Sequence, residues 1–418
     1  MDERPGETLK RPSRWDQSRS CTGKECDLNQ VESQAKEAAR AALLAKRRRV
    51  SASSESLDLS SIKSIPPIPT RSMHPIIQGC HSISEYEKLN RIEEGSYGIV
   101  SRARHKATGT IVALKQLKLE KEKYGFPITS LREIHTLMEA RHPHIVELKE
   151  MVVGQTLNQI YLVMEFVEHD MKTLLSRMRT PFLPSEIKTL LQQILSAVAL
   201  MHSRWIVHRD LKTSNLLMSN HGRIKIADFG LARMFGDPLE TMTSLVVTLW
   251  YRAPELLLGA KLYDTAVDMW SVGCIFAELL HKEPLFPGKN EADQLARIYR
   301  LLGQPTKETW PAYDTLPNAN ARIRAPSRSS LKHHFRYCSD ATIDLLQRML
   351  TYDPTKRITA EEALHHPYFQ ESPAPAHPDS FGSFPSIATG GSKTKYVSPE
   401  APQRRPSNSA AYPLQFDM

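Results

Sequence analysis

Cysteine is scarce: five residues in a chain of 418, at Cys21, Cys26, Cys80, Cys274 and Cys338. The number is odd and the positions scattered, which excludes a disulfide scaffold and makes a reducing compartment the default. Cys21 and Cys26 have no further Cys or His at zinc-site spacing, so no metal site is expected there. No run approaches the ~20 apolar residues of a membrane span. The opening string MDERPGETLKRPSRWDQ lacks the apolar centre of a secretory signal. Neither sign of charge dominates: 55 Lys and Arg against 46 Asp and Glu leave +9. That permits an acidic partner without demanding one. With 40% hydrophobic and 24% charged residues, a core is attainable for most of the chain but not all of it. The length suits two or three domains, or one two-lobed unit with tails.

Composition divides the chain into three. Residues 1–85 are polar, rich in Ser, Lys and Arg, and read as a disordered tail. Within it Val31 to Arg49 holds strong helix formers without Gly or Pro, a possible helix over 31–49. It ends in Lys46-Arg47-Arg48-Arg49, a nuclear-import signal or a solvated charge run. Residues 370–418 form a Pro- and Ser-rich tail, expected to be disordered. Between them, 86–369 reads as globular. Strand-like runs at Tyr86–Ile92, Gly98–His105, Thr110–Leu117, Ile145–Val153 and Gln159–Phe166 surround one helix, Ile128–Ala140. Helices then dominate, among them Ser185–His202 and Asp340–Leu350. The expectation is an α+β molecule: a small β-rich lobe with one main helix over 86–163, a connection at 164–169, and a larger α-helical lobe over 170–369. Clefts between lobes are common ligand sites.

Glu94-Gly95-Ser96-Tyr97-Gly98-Ile99-Val100 is followed by Lys115 in Val112-Ala113-Leu114-Lys115. Glycines in a strand–turn–strand let backbone amides approach phosphate oxygens, and a Lys on the next strand adds a point charge. Taken alone the pair of glycines is most often only a turn, and Glu93 stands where a G-x-G-x-x-G would have its first Gly. Glu133, on the 128–140 helix, reads from that helix alone as a surface residue; it could instead face Lys115 and orient it. The specific signal is His208-Arg209-Asp210-Leu211-Lys212-Thr213-Ser214-Asn215, of the form H-R-D-L-K-x-x-N. Asp210 would accept a proton from an attacking hydroxyl, Lys212 would neutralise a transferring phosphoryl group, and Asn215 would bind a metal ion. Asp228-Phe229-Gly230 follows, and its Asp would hold Mg²⁺ with a hard oxygen. Ala253-Pro254-Glu255 completes an ordered set that chance does not supply.

On these motifs the chain resembles a eukaryotic protein kinase, and more narrowly a cyclin-dependent kinase. Pro127-Ile128-Thr129-Ser130-Leu131-Arg132-Glu133 is the string that names the PITSLRE branch, and Glu122 to Phe126 and Ile92 to Gly95 are similar to that branch as well. The resemblance covers about 86–370, some two-thirds of the chain, and is thin in the tails. It implies the bilobal kinase fold, with ATP and Mg²⁺ as cofactors. Asp210 matches the catalytic base, Lys115 and Glu133 the strand Lys and its helix partner, Asn215 and Asp228 the metal ligands. ATP would be held by the hairpin Ile92, Glu93, Glu94, Gly95, Ser96, Tyr97, Gly98, Ile99 and Val100. Ala113, Leu217, the gatekeeper Met164, the hinge Glu165, Phe166 and Val167, and Asp170 near the ribose would complete the pocket. Thr243 matches the activating phosphosite, with Arg132, Arg209 and Arg233 as its grip; Ser96 and Tyr97 match inhibitory phosphosites. The PITSLRE helix would be gripped by a cyclin, L-type by resemblance. Val246 to Arg252 resembles the segment that accepts proline after the target Ser or Thr. Glu255 is expected to pair with Arg357, and Asp268 to brace the catalytic loop. The functional expectation is a nuclear, cyclin-activated, proline-directed Ser/Thr kinase in transcription and pre-mRNA splicing or cell-cycle control. A sister PISSLRE-type or cell-cycle kinase is the near alternative, and an inactive kinase-fold scaffold a distant one. The scaffold would call for a missing Lys115, Asp210 or Asp228, and none is missing. Direct nucleic-acid binding is not expected: the tails lack aromatic residues interleaved with basic ones.

Overall fold

The computed structural model describes residues 79–94, 98–119, 126–156, 159–236, 247–319 and 326–381. The expected 31–49 helix, the 46–49 cluster, Gly95, Ser96, Tyr97 and Thr243 lie outside the described residues.

Strands β1 (His81–Ser82), β2 (Tyr86–Glu94), β3 (Gly98–His105) and β4 (Ile111–Leu117) precede helix α1 (Ile128–Glu139). Then come β5 (Leu148–Val153) and β6 (Ile160–Glu165), and the six strands form one sheet in the order β1-β5-β6-β4-β3-β2. Side chains alternate along a strand. In β4, Val112 and Leu114 join a core with Tyr86, Ala103, Val152, Tyr161 and Val163 on one face. Ala113, Lys115 and Leu117 take the other face, where Leu117 and Leu162 meet Ile134 of α1. The β3–β4 turn needs a left-handed residue, and Gly109 supplies it at φ 72°. Gly98 is needed for a different reason: a Cβ there would stand 2.4 Å from the Gln116 carbonyl oxygen on β4.

The second lobe is mainly helical. After β7 (His169–Asp170) come α2 (Met171–Arg177), α3 (Pro184–Ser203), β8 (Ile206–Val207), β9 (Leu216–Met218), β10 (Ile224–Ile226) and β11 (Arg233–Met234). The strands pair as β10-β9-β7 and β11-β8, fixing the loop between β8 and β9. Helices α4 (Pro254–Leu257), α5 (Ala266–His281), α6 (Glu291–Leu302), α7 (Leu331–His334), α8 (Asp340–Met349) and α9 (Ala360–Leu364) complete the lobe. Helix α5 is its axis: Ala266 to Leu279 are buried without interruption, and Trp270 at 0% exposure stacks on Phe286. A helix apolar all round belongs in a core. Among the described residues no helix is long and apolar enough to cross a membrane.

Both lobes extend beyond the composition boundaries. Residues 79–85, assigned to the N-terminal tail, include β1, which pairs in parallel with β5 through His81 and Val152. There His81 Nδ1 also meets Glu150 Oε2 at 2.6 Å. Residues 371–381, assigned to the C-terminal tail, pack as a strap on α3. Lys188 on α3 is 1% exposed and donates to the carbonyls of Glu371 (2.7 Å) and Pro373 (2.9 Å). Thr189 donates to the Ala376 carbonyl at 2.6 Å, and Phe381 is buried against Phe182. The strap runs without regular structure to His377 and ends in a 3-10 turn, Pro378–Ser380; it is spent on caging a buried ammonium.

Candidate active site

The sheet register sets Lys115 between Val100 of β3 and Leu162 of β6, at its centre. Packing Ile134 on Leu117 brings the neighbouring Glu133 over the same strand. Lys115 Nζ donates to Glu133 Oε1 at 2.5 Å and to Asp228 Oδ1 at 3.0 Å. Glu133 is therefore buried, at 3% exposure, where the helix alone suggested the surface. Burial disfavours the Lys115 ammonium, yet the carboxylates of Asp228 and Glu133 outweigh it and hold the amine protonated, above its ordinary range. Burial likewise works against the Asp228 carboxylate, and Lys115 holds it below the usual carboxylate range all the same. Asp228 sits in left-handed backbone, φ 61°, which only a held residue keeps. The following Phe229 is buried edge-on against the His208 ring, 4.8 Å between centroids.

The loop between β8 and β9 supplies the second group. Asp210 Oδ1 accepts the Thr248 amide (3.2 Å) and hydroxyl (3.0 Å); Oδ2 accepts Lys212 Nζ (2.8 Å) and Asn215 Nδ2 (3.1 Å). His208 Nδ1 accepts the Asp210 amide at 3.2 Å, leaving Nε2 to donate to the Ala227 carbonyl at 3.2 Å; the loop is thereby joined to Asp228. Asp268 of α5 accepts the amides of Arg209 and His208, both at 2.9 Å, and faces His202 Nε2 at 3.1 Å. It braces the loop as expected. Glu255 and Arg357 form the expected buried pair, bidentate at 2.7 and 3.0 Å.

The donors suit a magnesium nucleotide. Asn215 spends its amide protons on Asp210, so its oxygen has no protein partner among the described residues and can face a cation. One carboxylate and one amide oxygen, with phosphates and water filling the remaining positions, are what Mg²⁺ takes in such sites. Buried Ala113 lies opposite Met164 in the register, and Ile92, Val100 and Leu217 are half-buried, leaving apolar surface toward the cleft. Glu93 is exposed, and Glu94 pairs with Arg91 and with Lys118. In the hinge, the Glu165 side chain accepts the Glu147 amide at 2.9 Å and meets Lys225 Nζ at 2.7 Å, while Arg102 lies over the Phe166 ring at 5.2 Å. Asp170 uses Oδ1 to cap α2, accepting the Thr173 amide at 2.8 Å.

A buried Lys–Glu pair reaching a half-buried Asp beside an HRD loop decides between a kinase cleft and an ordinary lobe interface, and comparison with known proteins agrees. A family model described as protein kinase domain matches residues 86–369. The chain belongs to the protein kinase family. Within it the chain falls in the PITSLRE branch of cyclin-dependent kinases. It is 53% identical over 331 residues to mouse cyclin-dependent kinase 11B, covering 79% of this chain and 42% of that protein. It is 51% identical over 346 residues to the Drosophila melanogaster serine/threonine-protein kinase PITSLRE, 80% of this chain and 36% of the relative. With the Schizosaccharomyces pombe serine/threonine-protein kinase ppk23 it shares 56% over 326 residues, 77% and 82% of the two lengths. The chain thus spans about two-fifths of the length of the mouse and human relatives it matches.

Two features of this kinase escape a sequence reading. Thr248, inside the apolar run Val246 to Trp250, holds the Asp210 carboxylate through two bonds and lies 3.2 Å from Lys212 Nζ. A lone polar residue in such a run was the available signal. Buried Glu278 of α5 accepts from Thr213 (3.0 Å) and Tyr251 (2.6 Å), tying the catalytic loop to the 249–251 turn. Val247 holds φ 66°, an outlier for a β-branched residue. Its carbonyl is turned onto Arg252, whose Nη2 donates at 2.9 Å, and Arg252 is anchored by Glu291 at 2.6 Å. Of the three arginines expected to grip a phosphate, Arg209 donates to the Leu231 carbonyl and the Tyr263 hydroxyl; Arg132 lies on α1 and Arg233 on β11. On α1 the apolar residues divide: Ile134 and Leu137 are buried, while Ile128, Leu131 and Met138 are more than half exposed.

Proposed function

We propose that this chain is a cyclin-dependent, proline-directed Ser/Thr protein kinase. The observation that carries the reading is the meeting, in one cleft, of the Lys115–Glu133–Asp228 triad and the Asp210–Lys212–Asn215–Thr248 group. ATP with Mg²⁺ supplies the phosphoryl group and the charge that eases its transfer. Asp228 and Asn215 would hold the metal, and Lys115, kept protonated, would orient phosphate oxygens. Asp210 takes the proton of the substrate hydroxyl, with Thr248 and Asn215 fixing the carboxylate's direction. Lys212 offsets negative charge beside it. Proline preference follows from Val247: a carbonyl spent on Arg252 cannot accept a backbone N–H from the residue after the target, and proline has none to leave unpaired.

Cyclin dependence is supported by the exposed apolar side of α1, next to the ion pair that a shift of α1 would break. An L-type cyclin is the partner we put forward, with action on transcription and splicing in the nucleus; both rest on the resemblance to the PITSLRE branch. Thr243, once phosphorylated, would draw on Arg132, Arg209 and Arg233, and Ser96 and Tyr97 would be inhibitory sites. The test is phosphate transfer to a Ser-Pro peptide with a downstream Lys or Arg, with and without an L-type cyclin. Transfer should need the cyclin and fall by about 10²–10⁴-fold in Asp210→Asn. Transfer that survives this substitution would sink the assignment of the base. Transfer to Ser-Ala as fast as to Ser-Pro would sink the role of Val247.

A further inference from the structure

Away from the cleft, a cavity of about 280 Å³ opens between α6, α7 and the segment before α6. That is small beside cofactor pockets, which start at roughly 300 Å³, and suits one side chain of a partner. Its apolar lining is Leu285, Phe286 and Leu301; its polar lining is Arg297, Arg300, Ser330 and His334, with no carboxylate among the lining residues. Of the nearby acids, Asp293 offsets one lining guanidinium and Asp340 is engaged outside the cavity. Asp293 holds Arg297 Nε at 2.9 Å, Asp340 holds Lys332 at 2.8 Å, and Glu283 lies by His281. Arg300 has no ion pair among the described residues and is exposed. His334 stacks on His281 at 4.9 Å between centroids; burial, and then the neighbouring His334 ring, push the His281 imidazole below its ordinary range. Ser330 Oγ turns its proton to the Leu301 carbonyl at 3.2 Å, so the donors left to a ligand are the guanidiniums and His334.

The place of the cavity matters as much as its charge. The first half of α6 is bound to the segment after Val247: Glu291 to Arg252 at 2.6 Å, and Gln294 Nε2 to the Trp250 carbonyl at 3.2 Å. Arg300 follows Glu291 by nine residues on the same helix, about 14 Å at the rise of a helix. An extended chain covers that in about four or five residues. We propose that this cavity is a docking subsite for a phosphorylated residue of the protein substrate, several residues from the Ser-Pro target. The guanidinium of Arg300 forks onto two phosphate oxygens, and an adjoining apolar residue covers Leu285 and Leu301. The proposal rests on the reading of residues 247–252 as the substrate platform, and it makes primed, already phosphorylated chains the preferred substrates.

The test uses the full chain with its activating cyclin and three fluorescent peptides. One carries Ser-Pro alone; two carry in addition a phosphoserine about six residues before or after it. Binding is read by anisotropy, without turnover. One of the phosphopeptides should bind at least about tenfold tighter than its unphosphorylated form, the lower range for a charge-assisted pair. Arg300→Glu should abolish that difference and raise KM for the same peptide equally, leaving kcat and the short peptide's kcat/KM as they were. Equal binding of phosphorylated and plain peptides, a difference that survives Arg300→Glu, or competition by inorganic phosphate at the peptide's own concentration would each overturn the subsite. If no peptide is phosphorylated at all, the kinase reading fails, while the anisotropy still decides the subsite.

Discussion

The two halves of the catalytic cleft are held in different ways. On the upper side a strand and a helix are joined through a small apolar contact, Leu117, Leu162 and Ile134, and the buried Lys115–Glu133 pair, which reaches the half-buried Asp228. On the lower side the catalytic loop is fastened at many points to α5, through Asp268, Glu278 and the Thr213 and Tyr251 hydroxyls. One half can be disassembled by moving a single helix, and the other cannot be moved without opening the core. Control of such an enzyme belongs on the α1 side, where the cost of rearrangement is low.

The largest effect should come from attacking the fixed half. Asp268→Asn replaces an acceptor of three hydrogen bonds with a group whose amide must face a donor. Breaking a buried charged network in this way should cost about 3–5 kcal/mol of stability, measured by urea denaturation. The acid dependence sharpens the test. Burial opposes ionisation of Asp268, but His202 and the loop amides hold its carboxyl below the usual range. A depressed folded value means the stabilisation is complete above the unfolded value near ~3.9 and is lost as pH falls through the folded one. The acid limb of wild-type stability should therefore be steeper than that of the variant. Equal slopes would mean that Asp268 does not carry the brace.

On the movable half, stability and activity should come apart. Lys115→Met leaves Glu133 buried without its partner, again at a cost of a few kcal/mol. Pairing it with Glu133→Leu removes both charges and should restore most of that stability, since Asp228 is one-third exposed and tolerates the loss. Activity should stay down by about 10²–10³-fold in both variants, the usual price of one missing electrostatic contact to the reacting group. A double variant that regained activity along with stability would make Lys115 a structural residue only.

What could be read from the sequence follows the same division. Asp210, Asn215 and Asp228 are legible because their chemistry demands particular residue types at fixed short spacing. Strands β2 to β6, α1 and α3 emerge to within a few residues because their apolar periods are regular, whereas β1 and the two- and three-residue strands β7 to β11 are too short to show one. Glu133 was not legible from its helix, since its partner is 18 residues away and meets it only through packing on the sheet. Thr248 was hidden because its bonds to Asp210 span 38 residues. The strap was read as tail because proline content reports extension and not docking; its contact with Lys188 spans 183 residues. Local rules capture residues that act through their own identity, and miss those that act by answering a distant charge.

The smallest effect on the fold, and the sharpest on regulation, is expected at the outer side of α1. Leu131 is 52% exposed, while Ile134 one turn on is buried. Leu131→Glu should shift unfolding stability by no more than about 0.5 kcal/mol, as surface substitutions do. The same charge, placed in the middle of an apolar docking surface, would be desolvated without a partner when a cyclin binds. Cyclin-stimulated transfer should therefore fall at least about tenfold, while the basal rate of the lone chain is unchanged. If stimulation persists, the cyclin does not seat on this face, and the position of α1 must be set through another contact. If the basal rate falls as well, Leu131 supports the Lys115–Glu133 pair directly, and the line between a fixed and a movable half would have to be drawn through α1 itself.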